Sequence, residues 1–268
     1  MSIHIAGKAM KYPGGRNILF LFLLMGLFAC SSQKELVKKD VVLLNEGNRE
    51  FAKNDFLQAE EAYKKILDNF PESPYRVNAL MGYADTLFRQ GNFMEAAWSY
   101  RDFYELYPVH EDTEKAYFYS GTSHLFEMGT PERDQTPTRK ALEEYQKIVH
   151  APEGIQSPFY AEAKKKIKIC TEQLAKQMFS IGKFYFKTRK YLSALMRLKE
   201  LMEVYPGLSY ENEVVYMIAE SYFVKDNFTE AEKFFKHLLD QYPADSFTEL
   251  AKSRLAAISA AGDRLSWN

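Results

Sequence analysis

The side chains with the strongest claim to chemistry in this 268-residue chain are two thiols, Cys30 and Cys170, and the four of its five histidines that lie beyond residue 29, His110, His124, His150 and His237. A helical metal site places its ligands at i, i+3 or i, i+4 so that both face one ion; these histidines stand much further apart and supply no such pair. No HExxH, GxSxG, CxxC or phosphate-cradling GxxxxGKS/T spacing occurs. The carboxylate pairs Glu60-Glu61, Glu111-Asp112 and Glu143-Glu144 fall on amphipathic stretches or their starts, where a solvated face accounts for them. No residue is assigned to catalysis or to a metal, no cofactor is implied, and the chain reads as a non-enzyme. Cys170 belongs to the series Ile167, Cys170, Leu174, Met178 and Ile181, whose spacings of 3 and 4 make it a packed helix residue. Cys30 stands elsewhere, at the end of an apolar run, and its chemistry depends on what precedes it.

Lys8, Lys11 and Arg16 precede the apolar stretch 18–29, and no acidic residue occurs before Glu35. That is the layout of an export signal. Twelve helical residues rise about 18 Å against a bilayer core of about 30 Å, so a permanent span is the weaker reading. Leu27-Phe28-Ala29-Cys30 resembles the bacterial lipobox, in which the thiol takes a diacylglycerol and the cysteine becomes the new N-terminus. Several acyl chains on one residue, each methylene contributing about 0.8 kcal/mol, exceed what stable anchoring needs. Ser31 after the cysteine resembles the pattern of lipoproteins released to the outer membrane. The expected organisation is a signal over 1–29, a lipidated tether over 30–39 and a folded body over 40–262.

The composition, 46% hydrophobic and 26% charged, is that of a globular chain, and 35 basic against 36 acidic residues exclude a nucleic-acid binder that works by surplus cations. Loss of residues 1–29 removes three cations and no anion, leaving 32 basic and 36 acidic residues and a net charge of −4.

Gly47, Phe51, Phe56, Ala59, Tyr63 and Pro71 reappear 37 residues later as Ala84, Phe88, Phe93, Ala96, Tyr100 and Pro108. The same shift carries Gly182, Phe186, Tyr191, Ala194, Leu198 and Pro206 onto Ala219, Phe223, Phe228, Ala231, Phe235 and Pro243. A period in this range indicates a solenoid, and the landmarks resemble the tetratricopeptide repeat: a small residue in a first helix, an alanine and a large residue in the second, a proline at the end. Small residues let the two helices of a hairpin approach closely. Asp55, Asn92 and Asn227 stand where second helices need N-caps, with Lys190 the exception. The third unit carries an insertion of eight residues within the stretch Met128 to Pro137, and a long helix is expected from about Ala161 into the fourth unit. The predicted fold is all-α, a tetratricopeptide α-solenoid with repeats at about 40–73, 77–110, 114–153, 175–208 and 212–245. A capping helix follows over 246–260, its apolar face formed by Phe247, Leu250, Ala251, Leu255 and Ile258.

The run Arg133-Asp134-Gln135-Thr136-Pro137, with the lipobox, Ser73-Pro74-Tyr75 and Tyr107-Pro108, resembles the BamD family, lipoproteins of the outer-membrane β-barrel assembly machinery. The resemblance covers essentially residues 30–260. It implies a non-enzymatic scaffold, lipid-anchored on the periplasmic face of the outer membrane. It also implies as partners a BamA-like barrel protein bound through a POTRA domain, other lipoprotein subunits, and the C-termini of unfolded outer-membrane proteins. Concave positions of the first three repeats put Asn48, Phe51, Asn78, Met81, Asp85, Phe88 and Phe118 in the groove for such C-termini. Arg197 matches an arginine that the family carries in the second helix of the fourth repeat, a candidate BamA contact. A tetratricopeptide lipoprotein acting as a pilotin or another cell-envelope scaffold is the alternative; it explains the anchor and the repeats but not the Arg-Asp-Gln insert.

Overall fold

The computed structural model describes residues 39–152, 154–244 and 246–265, with side chains through residue 261. Cys30, the signal and most of the tether lie outside these residues. Every regular element among them is helical: α1 (39–52), α2 (Phe56–Asn69), α3 (Arg76–Gln90), α4 (Phe93–Leu106), α5 (Thr113–Phe126), α6 (Thr136–Val149), α7 (Tyr160–Lys187), α8 (Tyr191–Val204), α9 (Glu211–Val224), α10 (Phe228–Gln241) and α11 (Thr248–Leu265). They form two compact units, one ending at Asn92 and one beginning at Phe93.

The first unit holds α1, α2 and α3, gathered on Leu44, Ala59, Tyr63, Ile66 and Ala79. Two glycines let α1 and α3 close on the Tyr63 ring: a Cβ at Gly47 would lie 2.6 Å from it and one at Gly82 2.5 Å. The α1–α2 turn places Asn54 in the left-handed region, at φ 62°, and Asp55 then accepts the Gln58 amide at 3.3 Å. The Asp55 cap read from the sequence thus satisfies one of the orphan amides of α2. Ser73 accepts the Tyr75 amide at 3.1 Å and donates to Asp40, tying the α2–α3 connection back to α1.

The second unit runs from α4 to α11, each helix packing mainly on its neighbours in sequence. Three cores follow one another. The first gathers Ala141, Tyr145, Ile148, Ala163 and Cys170; the second Ala175, Ala194, Leu198, Leu201 and Ile218; the third Val215, Ala219, Ala231, Phe235, Leu238 and Ala251. The 28-residue α7, about 42 Å long, is shared: Ala163 and Cys170 belong to the first core and Ala175 to the second. Cys170 is fully buried and free, and burial pushes its thiol up to about 11, which makes it inert. Ile181 and Leu250, read as apolar-face residues, are instead 39% and 49% exposed.

Two carboxylates in the second unit depart from the solvated-face expectation. Glu144 is buried, accepts the Tyr104 hydroxyl at 2.8 Å and pairs with Lys147 at 2.9 Å, while the ammonium lies 4.4 Å from the Tyr104 ring centre. Burial and the Glu144 charge together push the Tyr104 hydroxyl strongly up, so it remains a donor. Glu220 on α9 is also buried and receives both Nε and Nη2 of Arg254 on α11, at 2.8 and 2.5 Å, with the guanidinium 4.6 Å from the Phe223 ring centre. This two-pronged bond fixes the register of α11. Arg254→Ala should strand the Glu220 carboxylate and cost about 2 kcal/mol, read as a lower denaturant midpoint with faster amide exchange in α11; an unchanged midpoint would mean the apolar face alone docks the helix.

Candidate functional site

In the first unit, two of the groove positions converge on one hydroxyl. Tyr63 is 2% exposed and donates to Asn48 at 2.7 Å, and its pKa is pushed up to about 12 by burial and then by the charge of Asp85. Asn48 and Asp85, from α1 and α3, therefore hold polar character beside a tyrosine whose ring is clamped by Gly47 and Gly82. Half-buried Phe51 closes α1 against Phe56, ring centres 5.5 Å apart. Arg89 on α3 covers both rings, at 5.9 Å from Phe51 and 5.1 Å from Phe56, and donates to Asn54 at 3.2 Å. Its guanidinium is exposed and meets no carboxylate among the described residues. Arg89 is the residue that repeat landmarks do not reveal; a cation one position after the Phe88 landmark is the signal that could have found it.

The remaining positions separate. Asn78 is exposed and Phe88 half-buried on α3. Met81 is only 6% exposed, so its thioether serves packing and offers a bound peptide almost no surface. Its helix turns it inward beside Leu80 and Ala84, both also buried, which the concave-position count cannot register. Phe118 lies in the second unit, packed on the core there, its ring stacked on Phe159 at 5.0 Å and edge-on to Tyr145 at 5.8 Å. Arg197 on α8 is exposed and paired with Glu200 at 3.1 Å, one turn along the same helix. No group of His, Cys, Asp and Glu able to hold a metal exists among the described residues.

The insert between α5 and α6 proves to be a built element. Gln135 is fully buried: its Nε2 donates to the carbonyls of Thr130 at 2.7 Å and Arg133 at 3.2 Å, and its Oε1 accepts the Thr138 hydroxyl at 2.7 Å. Asp134 accepts both the amide and the hydroxyl of Thr136 at the start of α6, with Pro137 in its first turn. The folded loop then docks on α7: Gln173 donates to the Gly129 carbonyl at 2.8 Å and Ser180 to Glu132 at 3.4 Å. Residues spaced along one face of α7 thus receive the insert.

The outer membrane lipoprotein family model YfiO matches residues 37–226, and a tetratricopeptide repeat model matches residues 213–245, the α9–α10 hairpin. The outer membrane protein assembly factor BamD of Rickettsia prowazekii is 25% identical over 232 residues, covering 85% of this chain and 92% of that protein. The factor of the same name from Vibrio cholerae is 22% identical over 226 residues, 80% of this chain and 91% of that one. A crystal structure of a MamA protein matches with a TM-score of 0.39 at 21% identity, covering 76% of this chain and 91% of that one, too weak a likeness to carry an argument.

Gln135→Ala removes the amide that bonds the Thr130 and Arg133 carbonyls and leaves the buried Thr138 hydroxyl without its acceptor, at a cost of about 1–3 kcal/mol. Faster hydrogen exchange confined to residues 127–135 is expected, with α5 and α6 still protected; unchanged exchange would show that α7 holds the loop alone. A second outcome concerns pH. Burial, then Lys140 and Arg101, hold the His124 imidazole down to about 4. The unfolded chain, with an ordinary histidine, takes the proton first, so this group subtracts stability as pH falls from about 6.5 to about 4 and has no effect above. The stability difference between His124→Gln and the parent, from urea unfolding, should shift in favour of the variant across that window and stay flat above pH 7.

Proposed function

The chain belongs to the outer membrane lipoprotein family YfiO, and from that premise we propose that it is a non-enzymatic scaffold of the outer-membrane β-barrel assembly machinery. What carries the reading is the span of the family match, which runs from the tether through α1, the insert and α7 to the end of α9. The names of the relatives, assembly factors over most of their length, support the same role.

In this reading the signal 1–29 is removed, Cys30 is acylated, and the body 40–262 stands on the periplasmic face of the outer membrane. The repeats and the capping helix over 246–260 present surfaces to other proteins. The first unit receives client C-termini. Phe51, Phe56 and Arg89 offer such a terminus what its chemistry asks for: aromatic faces for an aromatic side chain and an unpaired guanidinium for the carboxylate. Asn48, Asn78, Asp85 and Phe88 line the same face of the reading, whereas Met81 and Phe118 contribute packing. The C-terminal repeats bind a POTRA domain of a BamA-like barrel protein. Arg197, whose partner Glu200 is exposed and easily exchanged, supplies a fork of donors to a partner carboxylate.

Three measurements test this. Depletion of the protein should leave outer-membrane barrels unfolded, and a pull-down should recover a POTRA-containing barrel; recovery of a secretin or pilus component with normal barrel assembly would overturn the role. Cys30→Ala should abolish fatty-acid labelling and release the body from membranes, and persistent labelling would refute the anchor. Arg197→Glu should weaken capture of the POTRA partner by about tenfold or more without changing anchoring.

A further inference from the structure

One turn of the second unit breaks the local rules that three of the other hairpins keep. The first, second and fifth hairpins turn through a left-handed residue suited to it, Asn54, Gly91 or Asp226, and follow it with Asp55, Asn92 or Asn227. The α7–α8 turn uses Arg189 at φ 59° and then Lys190, which offers α8 no side-chain cap. A side chain with a Cβ and no compensating local hydrogen bond is unfavourable in that region, and the lysine forgoes the cap as well. Both departures place cations.

Those cations border a cavity of about 210 Å³ lined by Arg189, Lys190, Tyr191, Leu192, Ser193 and Lys225, the last at the end of α9. None of the three makes an ion pair among the described residues, whereas Lys183, Arg197, Lys233 and Lys236 nearby in the same unit each meet a carboxylate. Leu192, in the wall, is 64% exposed, and Met196, one turn further along the same outer face, is 73% exposed. An adaptable apolar strip thus adjoins a triply cationic hollow on a body whose mature net charge is negative.

We infer that the α7–α8 turn, with Arg189, Lys190, Lys225, Leu192 and Met196, is a docking surface for a partner protein's acidic segment that carries an apolar residue beside its carboxylates. Charge complementarity selects the acidic side chains, the hollow is of side-chain size, and Leu192 and Met196 at i, i+4 receive the apolar residue. The inference stands apart from the reading of Arg197, whose charge is already engaged by Glu200.

An array of synthetic heptapeptides, varied in acidic content and in the position of one Leu or Phe, probed with the full-length protein in detergent, tests it. Peptides with two or three acidic residues next to the apolar one should bind best, and raising salt from 0.05 to about 0.5 M should weaken them by about tenfold. Arg189→Glu with Lys225→Glu should lose about tenfold or more, and Met196→Ser should weaken only peptides that retain the apolar residue. Arg189→Gly keeps the turn's backbone and removes the cation, so its melting temperature should rise while its affinity falls, a pairing that a merely structural arginine would not give. The inference is overturned if acid-free peptides bind equally well, if the charge reversals leave affinity unchanged, or if the unanchored Cys30→Ala protein in detergent-free buffer binds vesicles one-third phosphatidylglycerol while no array peptide binds.

Discussion

Everything in this fold depends on how closely the two helices of a hairpin can approach. A glycine or alanine in the first helix stands against a large side chain of the second: Gly47 against Tyr63, Gly121 against Tyr145, Gly182 against Leu198. In each case an added Cβ would come within 3.0 Å of the partner side chain, so the backbone is as near as atoms permit. Close approach brings the alanines at 59, 96, 194 and 231 to zero exposure and lets a hairpin bury a face it could not bury alone. Because the contact is local, sixteen residues from Gly47 to Tyr63 and from Gly182 to Leu198 and twenty-four from Gly121 to Tyr145 across the insert, it repeats, and the repeat is what sequence self-similarity detects.

Within the second unit, the departure from the repeat is what gives the chain its individuality. The α7 helix passes out of one core and into the next, so it cannot be packed along its full length by one preceding hairpin. The insert from Met128 to Gln135 supplies contacts that a hairpin would otherwise make, bonding to Gln173 and Ser180. Its own fold rests on a buried glutamine amide that gathers two carbonyls and a hydroxyl. A segment without regular secondary structure is thereby held by side-chain hydrogen bonds in place of a backbone ladder. Beyond the insert, Ile181 and Phe184 on α7 remain exposed.

Much of the architecture was legible in the sequence because it rests on residue type at fixed spacing. The second-helix starts at Asp55 and Asn227, the long helix after Ala161 and the burial of Cys170 follow from caps and 3-and-4 periodicity. The candidate site was less legible. Concave positions can be counted, yet whether Met81 faces a groove or a core depends on neighbours that the count does not contain. Arg89 escaped for the opposite reason: its place one position after the Phe88 landmark is visible in the sequence, but its relation to Phe51 spans two helices and only the packing supplies it. Glu144 reads as solvated because its pair falls on an amphipathic stretch, and only Tyr104, forty residues away, makes it a buried acceptor.

The sequence by itself determined the helical class, the 37-residue period, the position of the insertion and the family, all of which are carried by residue types at short range. The tertiary structure alone decided which polar groups meet across helices: Glu220 with Arg254, Glu144 with Tyr104 and Lys147, Gln135 with its own loop and the loop with α7. It also left Arg189, Lys190 and Lys225 around one hollow with no carboxylate partner among the described residues. The physical reason is range. Helix propensity, capping and close approach act within one or two turns of chain, whereas the pairing of a charge or a buried amide is settled by whatever distant residue the packing brings to it.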